Sequence, residues 1–183
     1  MNDKCLYDEV LWYALRAYKA EKKMEKILIE KGYDYFIAKK YKNTIYKGKK
    51  KRILTLAIPS LIFVHSSANK INELKLISSG SLQYMTFPCG KVNKRIVIRD
   101  DEMENFISVA TKYEKEELSY VNPNEIPLEK GQKVRIIGGE FDGLVGTLLK
   151  IKGRRNKRLV VSLNQINFAI AIELKVDKIE VIE

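Results

Sequence analysis

Residues 130–147 read Lys130-Gly131-Gln132-Lys133-Val134-Arg135-Ile136-Ile137-Gly138-Gly139-Glu140-Phe141-Asp142-Gly143-Leu144-Val145-Gly146-Thr147. One short strand precedes two glycine turns, and a second strand starts after them. Val134 and Ile136 point to one face of the strand and Lys133 and Arg135 to the other, while the glycines supply the positive φ angles that tight turns require. Further runs rich in Val, Ile and Leu follow at 147–152, 158–163, 168–175 and 176–182. Together these short strands predict a small SH3-like β-barrel.

The chain of 183 residues has room for a second domain before this barrel. Residues 119–128 contain Asn122-Pro123-Asn124 and Pro127, which disfavour both helix continuation and pairing in a central strand. The sequence therefore predicts an N-terminal domain over 1–118, a linker over 119–128 and the barrel over 129–183.

Residues 1–118 alternate between strand and helix patterns. We expect strands at 11–16, 33–42, 53–57, 61–65, 80–87 and 96–98, with the basic residues 47–52 in a loop. The first helix carries Ala20, Met24, Ile27 and Leu28 on its apolar stripe and ends at Gly32. Ser67 caps a second helix with Ile71, Leu74 and Ile77 inward, and Asp100 or Asp101 caps a third whose buried face is Met103, Phe106, Ile107 and Ala110. The predicted fold class is α+β: an antiparallel sheet with flanking helices, followed by the barrel.

Charge gives the first indication of a partner. The net charge is +11, and a positive excess attracts polyanions such as nucleic acids. Two clusters concentrate it: residues 47–52 and residues 152–158 each hold five Lys or Arg. The alternative interpretation is that both clusters are solvated hairpin tips that discourage pairing between sheet edges.

Several classes of protein receive no support. The longest apolar run, residues 54–64, is interrupted by Pro59 and is too short to span a membrane, and no signal-peptide pattern opens the chain, so we expect a cytoplasmic protein. Cys5 and Cys89 are expected to be free thiols. We expect no metal site and no cofactor, because no ligand cluster or phosphate-binding glycine loop occurs. His65, the one histidine, has no nucleophile partner in the pattern, so we predict a structural histidine and no enzyme activity.

Three segments, in this order and spacing, resemble the NusG family of transcription elongation factors. Residues 12–18 resemble its opening strand, residues 58–64 resemble its Phe-Pro-Gly-Tyr segment, and residues 130–147 resemble its KOW motif. The chain is similar to the specialised paralogues, among them RfaH and the UpxY antiterminators of capsular polysaccharide operons. The resemblance implies a non-enzymatic factor that binds RNA polymerase and suppresses pausing and termination, in an operon-specific manner. The alternatives are a general NusG-like elongation factor and an RNA-binding KOW module of ribosomal-protein type.

The resemblance also implies an apolar surface that binds the clamp helices of the largest RNA polymerase subunit. Ile58 stands where the family often has Phe, Ser60 replaces the usual Gly, and Leu61 replaces the usual Tyr, so the surface is more aliphatic than is typical. The alternative is that Ile58, Leu61 and Phe63 are core residues. The residues expected to bind polymerase are Trp12, Tyr13, Ile58, Pro59, Leu61 and Phe63.

Family members contact the non-template DNA strand near the first helix, and the matching positions are Tyr18 and Lys19. Ammonium groups bind phosphates and an aromatic ring stacks on an unpaired base, which suits a single strand or nascent RNA. A second matching stretch, 78–80, has Ser79 where paralogues can carry a cation. The alternative is that the helix lysines form a solvated face paired with glutamates. The predicted nucleic-acid-binding residues are Tyr18, Lys19, Lys22, Lys23, Lys49, Lys50, Lys51 and Arg52.

The barrel of a family member presents an apolar loop to ribosomal protein S10 or to the termination factor Rho. The matching positions here are Phe141, Ile166 and Phe168. Phe168 alternates in phase with Ile170 and Ile172, which favours a core position, so Ile166 is the stronger candidate contact. We expect a monomer with no membrane association.

Overall fold

The computed structural model describes residues 9–114, 118–122, 131–139, 141–150, 157–174 and 178–182. Contacts divide them into two units: residues 9–38 with 58–100, and residues 39–57 with the described residues from 101 onward. All strand pairing among the described residues is antiparallel, which confirms the α+β class. Several predictions fall outside the described residues, namely those for Cys5, Lys130, Glu140, the linker residues 123–128 and the basic residues 152–156.

The first unit is built on a five-stranded sheet. Its central strand, β1, pairs with β5 along one edge and with β6 and β9 in succession along the other, and β2 lies beyond β5. The strands are β1 Val10–Ala17, β2 Asp34–Phe36, β5 Leu61–Ser67, β6 Leu82–Tyr84 and β9 Val97–Ile98.

A short hairpin, β7 Thr86–Cys89 with β8 Val92–Arg95, interrupts the edge between β6 and β9. The amide of Met85 donates to the carbonyl of Ala14 at 2.9 Å, and the amide of Ala14 donates to the carbonyl of Ile96 at 3.2 Å. The amide of Ile96 in turn donates to the carbonyl of Met85 at 2.9 Å. The chain therefore leaves β1 and returns to it at the same residue.

Two helices belong to this unit, α1 Glu21–Glu30 and α2 Ala68–Ile77. Met24 and Leu28 are one helical turn apart and both are buried, as predicted. Ser67 caps α2 by accepting a hydrogen bond from the amide of Lys70, which confirms its predicted role. The prediction for Ile77 is wrong: Ile71 and Leu74 already form the buried face, and Ile77 is exposed at the last position of the helix.

In the second unit, β3 Lys39–Tyr46 and β4 Lys49–Leu56 form a long hairpin. The prediction of a basic loop over 47–52 is wrong here, because only Lys47 and Gly48 form the turn and residues 49–52 continue the strand. Both turn residues have positive φ, 48° and 75°. This geometry is that of the two-residue type I′ turn, whose twist matches that of the flanking strands.

The barrel region of the second unit is a six-stranded sheet in the order β10-β14-β13-β12-β11-β15. Val134 and Ile136 are buried while Lys133 and Arg135 are exposed, as their alternation predicted. Gly138, Gly139 and Gly143 have φ between 77° and 80°, which confirms the glycine turns. Residues predicted to begin the linker instead form a strand, β10. The strands are β10 Ser119–Val121, β11 Gln132–Ile136, β12 Val145–Lys150, β13 Lys157–Leu163, β14 Phe168–Leu174 and β15 Ile179–Val181.

Helix α3 Asp100–Ala110 continues into a 3-10 turn at Thr111–Glu114 and contributes to the second unit. The buried residues of α3 are Met103, Phe106, Val109 and Ala110. A further 3-10 turn, Asn164–Ile166, precedes β14. Val109 replaces the predicted Ile107, which is only half-buried. Among the described residues, no helix combines the length and apolar character needed to cross a membrane.

Candidate functional site

Three turns of the first unit meet beside the end of β1. We call them the turn cluster: residues 17–20 from the last residue of β1 to α1, residues 58–60 before β5, and residues 78–81 after α2. The amide of Ala17 donates to the carbonyl of Ser60 at 2.7 Å, and the amide of Tyr18 donates to the carbonyl of Ser81 at 3.0 Å. Two adjacent backbone amides thus hold the other two turns in place. The turn cluster joins the segment predicted to bind polymerase to both segments predicted to contact DNA.

Glu21, in the first turn of α1, fixes the turn that contains Pro59. Its Oε1 atom accepts from the amide of Ser60 at 3.0 Å and from the hydroxyl of Ser60 at 3.3 Å. A carboxylate at this end of a helix is also favoured by the helix dipole. The side chain of Glu21 therefore ties the start of α1 to the turn before β5.

Backbone strain is concentrated at the turn cluster. Lys19, Ser60 and Ser79 each have a left-handed backbone, with φ of 52°, 64° and 52°. This conformation costs a residue with a side chain about 1–2 kcal/mol relative to the right-handed one. Residues in such conformations persist where the surrounding structure determines them, often at binding sites. The φ of Ser60 also explains why glycine suits this position.

Ser78 anchors the third turn from below. Its hydroxyl is buried, donates to the carbonyl of Lys75 at 2.7 Å and accepts from the amide of Leu82 at 3.2 Å. The amide of Ser81 closes the turn by donating to the carbonyl of Ser78 at 3.1 Å. The exposed residues Ser79 and Gly80 are therefore held at the surface by a buried hydroxyl.

The structure separates the predicted polymerase-binding residues into two groups. Pro59 is exposed and Ile58 is half-buried, so both can contact a partner. Leu61 and Phe63 are only 6% and 0% exposed. The prediction that these two belong to an open surface is wrong, and the alternative core interpretation holds for them. The cause is that β5 is covered on both faces, since the alternate residues Ile62 and Val64 are fully buried as well.

Trp12 and Tyr13 are likewise buried and do not form part of an open surface. The Trp12 ring stacks on His65 with ring centroids 4.9 Å apart, and Tyr13 meets the edge of Tyr84 at 5.6 Å. Burial raises the pKa of Tyr13 above its usual value, an effect that the positive charge of Arg95 partly offsets. These two aromatic residues support the sheet beneath the surface.

His65 has carboxylates on both sides. Its Nδ1 lies 3.3 Å from Oδ2 of Asp34 and its Nε2 lies 3.8 Å from Oδ1 of Asp100. No serine or cysteine is placed by these contacts as a nucleophile. Among the described residues, no group of three His, Cys, Asp or Glu side chains is arranged to hold a metal ion. His65 therefore lies between two carboxylates and stacks on Trp12.

The predicted nucleic-acid-binding residues lie in two places. Tyr18 is 57% exposed beside Lys19 in the turn cluster, and Lys22 and Lys23 are exposed on the following turn of α1. The glutamate at the start of that helix binds Ser60, and Lys26 rather than Lys22 or Lys23 pairs with Glu30, at 3.7 Å. Lys49, Lys50, Lys51 and Arg52 lie on the separate β3–β4 hairpin and are all exposed.

Of the predicted partner-binding residues of the barrel, Phe141, Ile166 and Phe168 are all half-buried. The Phe168 ring packs between Phe106 of α3, at 6.4 Å, and Tyr120 of β10, at 5.8 Å. The ammonium group of Lys112 lies 5.7 Å from the centre of the Phe141 ring. Ile166 sits in the 3-10 turn before β14. Phe168 thus packs against two aromatic rings of its own unit, but it is less buried than the core position that its alternation with Ile170 and Ile172 favoured.

Sequence reasoning missed the contacts that α3 makes within this unit. The side-chain oxygen of Asn105 accepts from the amide of Val145 at 3.3 Å, next to the Phe106 contact. The one available signal in the sequence was the apolar stripe of α3. Such a stripe shows that one face of the helix is buried, but it does not show which residues cover that face.

No curated protein matches the chain. The sequence model of one family, described as transcription termination factor nusG, matches residues 11–107, which include the whole turn cluster. The match spans more than half of the 183 residues. This chain therefore belongs to the NusG family of transcription elongation and termination factors, which are non-enzymatic and interact with RNA polymerase.

Proposed function

We propose that this protein binds transcribing RNA polymerase through the turn cluster and suppresses pausing and termination at particular operons, as capsular polysaccharide antiterminators do. The observation that carries the proposal is the pair of hydrogen bonds from Ala17 and Tyr18 to Ser60 and Ser81. They join an apolar turn to the turn that carries the exposed ring of Tyr18 and the side chain of Lys19.

The polymerase contact would be made by Ile58 and Pro59. Both lie in a turn whose position is fixed by Glu21, so little conformational freedom is lost on binding. Burial of apolar surface contributes about 25 cal/mol per Å², and a protruding aliphatic residue can anchor a helix-docking surface. The clamp helices of the largest subunit are the proposed partner. Trp12, Tyr13, Leu61 and Phe63 would act from beneath, by holding the turn in place.

The nucleic-acid contact at the turn cluster would be made by Tyr18 and Lys19. An exposed ring beside an ammonium group can stack on an unpaired base while the cation binds a phosphate. Lys22 and Lys23 would extend the positive surface along α1. Ser79 is neutral, so it would add hydrogen bonds but no contact to a phosphate charge. Any preference for a DNA sequence would then come from how well an unpaired base fits against the Tyr18 ring.

The barrel would recruit a second partner, either ribosomal protein S10 or Rho. We also propose that the two domains span residues 1–118 and 129–183. Ile166 is the proposed main contact. Phe168 already packs on Phe106 and Tyr120, and Phe141 lies against Lys112. These two would contribute only at the edge of the interface. The protein is proposed to act as a monomer.

The test is binding of purified core RNA polymerase to the wild-type protein and to Ile58→Glu. A matched control is Ile29→Glu, because Ile29 is 62% exposed on α1 and its change introduces the same charge. We expect Ile58→Glu to weaken binding at least about tenfold, since a buried unpaired carboxylate costs several kcal/mol, and Ile29→Glu to bind normally. Equal binding by the two variants would contradict the proposed surface.

Transcription in vitro on terminator templates then separates the specialised role from the general one. Readthrough that depends on a particular leader or non-template sequence supports the operon-specific factor. Stimulation of elongation on every template would identify a general elongation factor. Binding to RNA with unchanged polymerase behaviour would favour the RNA-binding module instead.

A further inference from the structure

The β3–β4 hairpin has a composition unlike the rest of the chain. Residues 39–56 contain no aspartate or glutamate, whereas the net charge of the whole chain is +11. Its cations are Lys39, Lys40, Lys42, Lys47, Lys49, Lys50, Lys51 and Arg52. From Lys47 to Arg52 every residue is exposed. A cationic segment with no acidic neighbours in sequence attracts polyanions more strongly than an ordinary solvated surface does.

The hairpin is a regular ribbon, paired from Lys39 with Leu56 at its base to Tyr46 with Lys49 at its tip. Residues that pair directly lie on the same face of the ribbon, and neighbours along a strand lie on opposite faces. One face therefore carries Lys40, Lys42, Lys49 and Lys51, and the other carries Lys39, Lys50 and Arg52. Both faces of the ribbon are cationic, and Lys47 adds a charge at the tip.

The charge at the tip is carried by Lys47, whose backbone conformation is unfavourable for lysine. Lys47 has φ of 48°, in the left-handed region that asparagine and glycine adopt more readily than lysine. An Asn-Gly pair is the usual occupant of such a turn. A lysine here gains nothing for folding from its backbone conformation, which is consistent with a role for its side chain.

We propose that the β3–β4 hairpin is a binding site for duplex DNA, held mainly through phosphate groups. The major groove, about 12 Å wide, admits a two-stranded β-ribbon. A ribbon that enters tip first presents one face to each wall of the groove, and both walls are phosphate backbones. Cations on both faces match that arrangement. This site uses other residues than the turn cluster and does not depend on the proposed polymerase contact.

The aromatic residues of the hairpin favour a duplex over a single strand. Single-strand sites stack bases on aromatic rings. Here the guanidinium of Arg52 lies 4.0 Å from the centre of the Tyr41 ring, and the ammonium group of Lys47 lies 5.7 Å from that of Tyr46. One face of each ring is thus covered by a cation of the hairpin itself. Asn43 and Thr44 are the few uncharged polar residues near the tip, so we expect binding with little sequence preference.

The experiment measures the affinity of the full-length protein for a short fluorescent DNA duplex as a function of salt concentration. The variants are Lys49→Gln with Lys51→Gln on one face, and Lys50→Gln with Arg52→Gln on the other. Each phosphate contact contributes about 0.9 to the slope of log affinity against log salt on duplex DNA. We expect each double variant to lose at least about tenfold in affinity at low salt and to flatten the slope by about 1–2.

Two controls separate this result from loss of charge or of fold. Lys91→Gln with Lys94→Gln removes the same charge from exposed positions in the turn and in strand β8 of the β7–β8 hairpin, and it should bind like the wild type. Lys47→Asn keeps a residue suited to the left-handed turn, so it should fold at least as stably while reducing the slope by about 0.9.

Unchanged affinity and slope in both hairpin variants would overturn the proposal, as would an equal loss in the β7–β8 control. Single-stranded DNA or RNA of the same sequence serves as competitor. Better competition by either single strand than by the duplex would overturn the assignment to duplex DNA. Polymerase binding measured in parallel should be unaffected by the hairpin variants, so failure here is distinguishable from failure of the proposed function.

Discussion

Replacement of Glu21 should destabilise the first unit through Ser60. In Glu21→Ala, the amide and hydroxyl of Ser60 lose their shared acceptor, at 3.0 and 3.3 Å. Hydrogen bonds to a charged group contribute about 1.5–3 kcal/mol, and the helix dipole adds about 0.3–1 kcal/mol. Because Glu21 is only half-buried and the hydroxyl contact is long at 3.3 Å, we count the amide bond and the dipole effect alone, at their lower limits, and expect a loss of about 2 kcal/mol. Glu21→Gln, which keeps an acceptor, should lose about 1 kcal/mol.

The sign of a second substitution tests the same reasoning more sharply. Ser60→Gly relieves a left-handed backbone worth about 1–2 kcal/mol, but it loses the hydroxyl contact and increases the entropy of the unfolded chain. In the wild-type background these effects should nearly cancel, to within about 0.5 kcal/mol. In the Glu21→Ala background the hydroxyl contact is already gone. There Ser60→Gly should stabilise the protein by up to about 1 kcal/mol.

Urea unfolding followed by tryptophan fluorescence measures these free energies, because Trp12 is the one tryptophan of the chain and lies in β1 of the same unit. The double-mutant cycle isolates the coupling between the two residues. An unfolding free energy of Glu21→Ala within about 0.5 kcal/mol of the wild type would refute the role of this contact. The same conclusion would follow if Ser60→Gly had an equal effect in both backgrounds.

Three further substitutions test other parts of the structure. Burial raises the pKa of Tyr13, so the neutral phenol stabilises the folded state below about pH 10, and this contribution is lost as pH rises through the folded pKa. Tyr13→Phe should therefore reduce the decrease in unfolding free energy at alkaline pH, measured by urea titration at several pH values. Phe106→Ala removes a fully buried ring and should cost about 3–5 kcal/mol by urea unfolding, with altered NMR shifts for the Phe168 ring; unchanged shifts would contradict the ring contact. Gly146→Ala places a methyl group 2.8 Å from the carbonyl oxygen of Val160, so we expect a loss of about 1–3 kcal/mol in thermal unfolding, and an unchanged midpoint would show that β12 and β13 can separate.

Local patterns in the sequence were enough to predict much of the fold. Val134 and Ile136 alternate with Lys133 and Arg135, and the structure buries the first pair and exposes the second. Ser67 has the cap chemistry that starts a helix, and it does so. These features depend on one strand or one turn, whose preferences are carried by the residues themselves.

Predictions that depend on a distant part of the chain were less accurate. Leu61 and Phe63 were expected on an open surface, but a strand covered on both faces buries all four residues from Leu61 to Val64. A continuous apolar run with no polar alternation is the signal for such a strand. Nothing near Glu21 in sequence indicates that its partner is Ser60. Binding of a partner by Ile58 and Pro59 therefore stays a prediction from the sequence, and the hydrogen-bond network that fixes their turn required the structure.

The base of the β7–β8 hairpin offers an insertion point for engineering. Met85 and Ile96 both hydrogen-bond to Ala14 and to each other through their backbones, so the two ends of the segment 86–95 are held together at the sheet. Residues between them can be lengthened, shortened or exchanged for an affinity tag or a photo-crosslinker while the register of β6 and β9 on β1 stays the same. Evolution has the same freedom, so relatives can acquire new recognition loops at this position without redesigning the sheet.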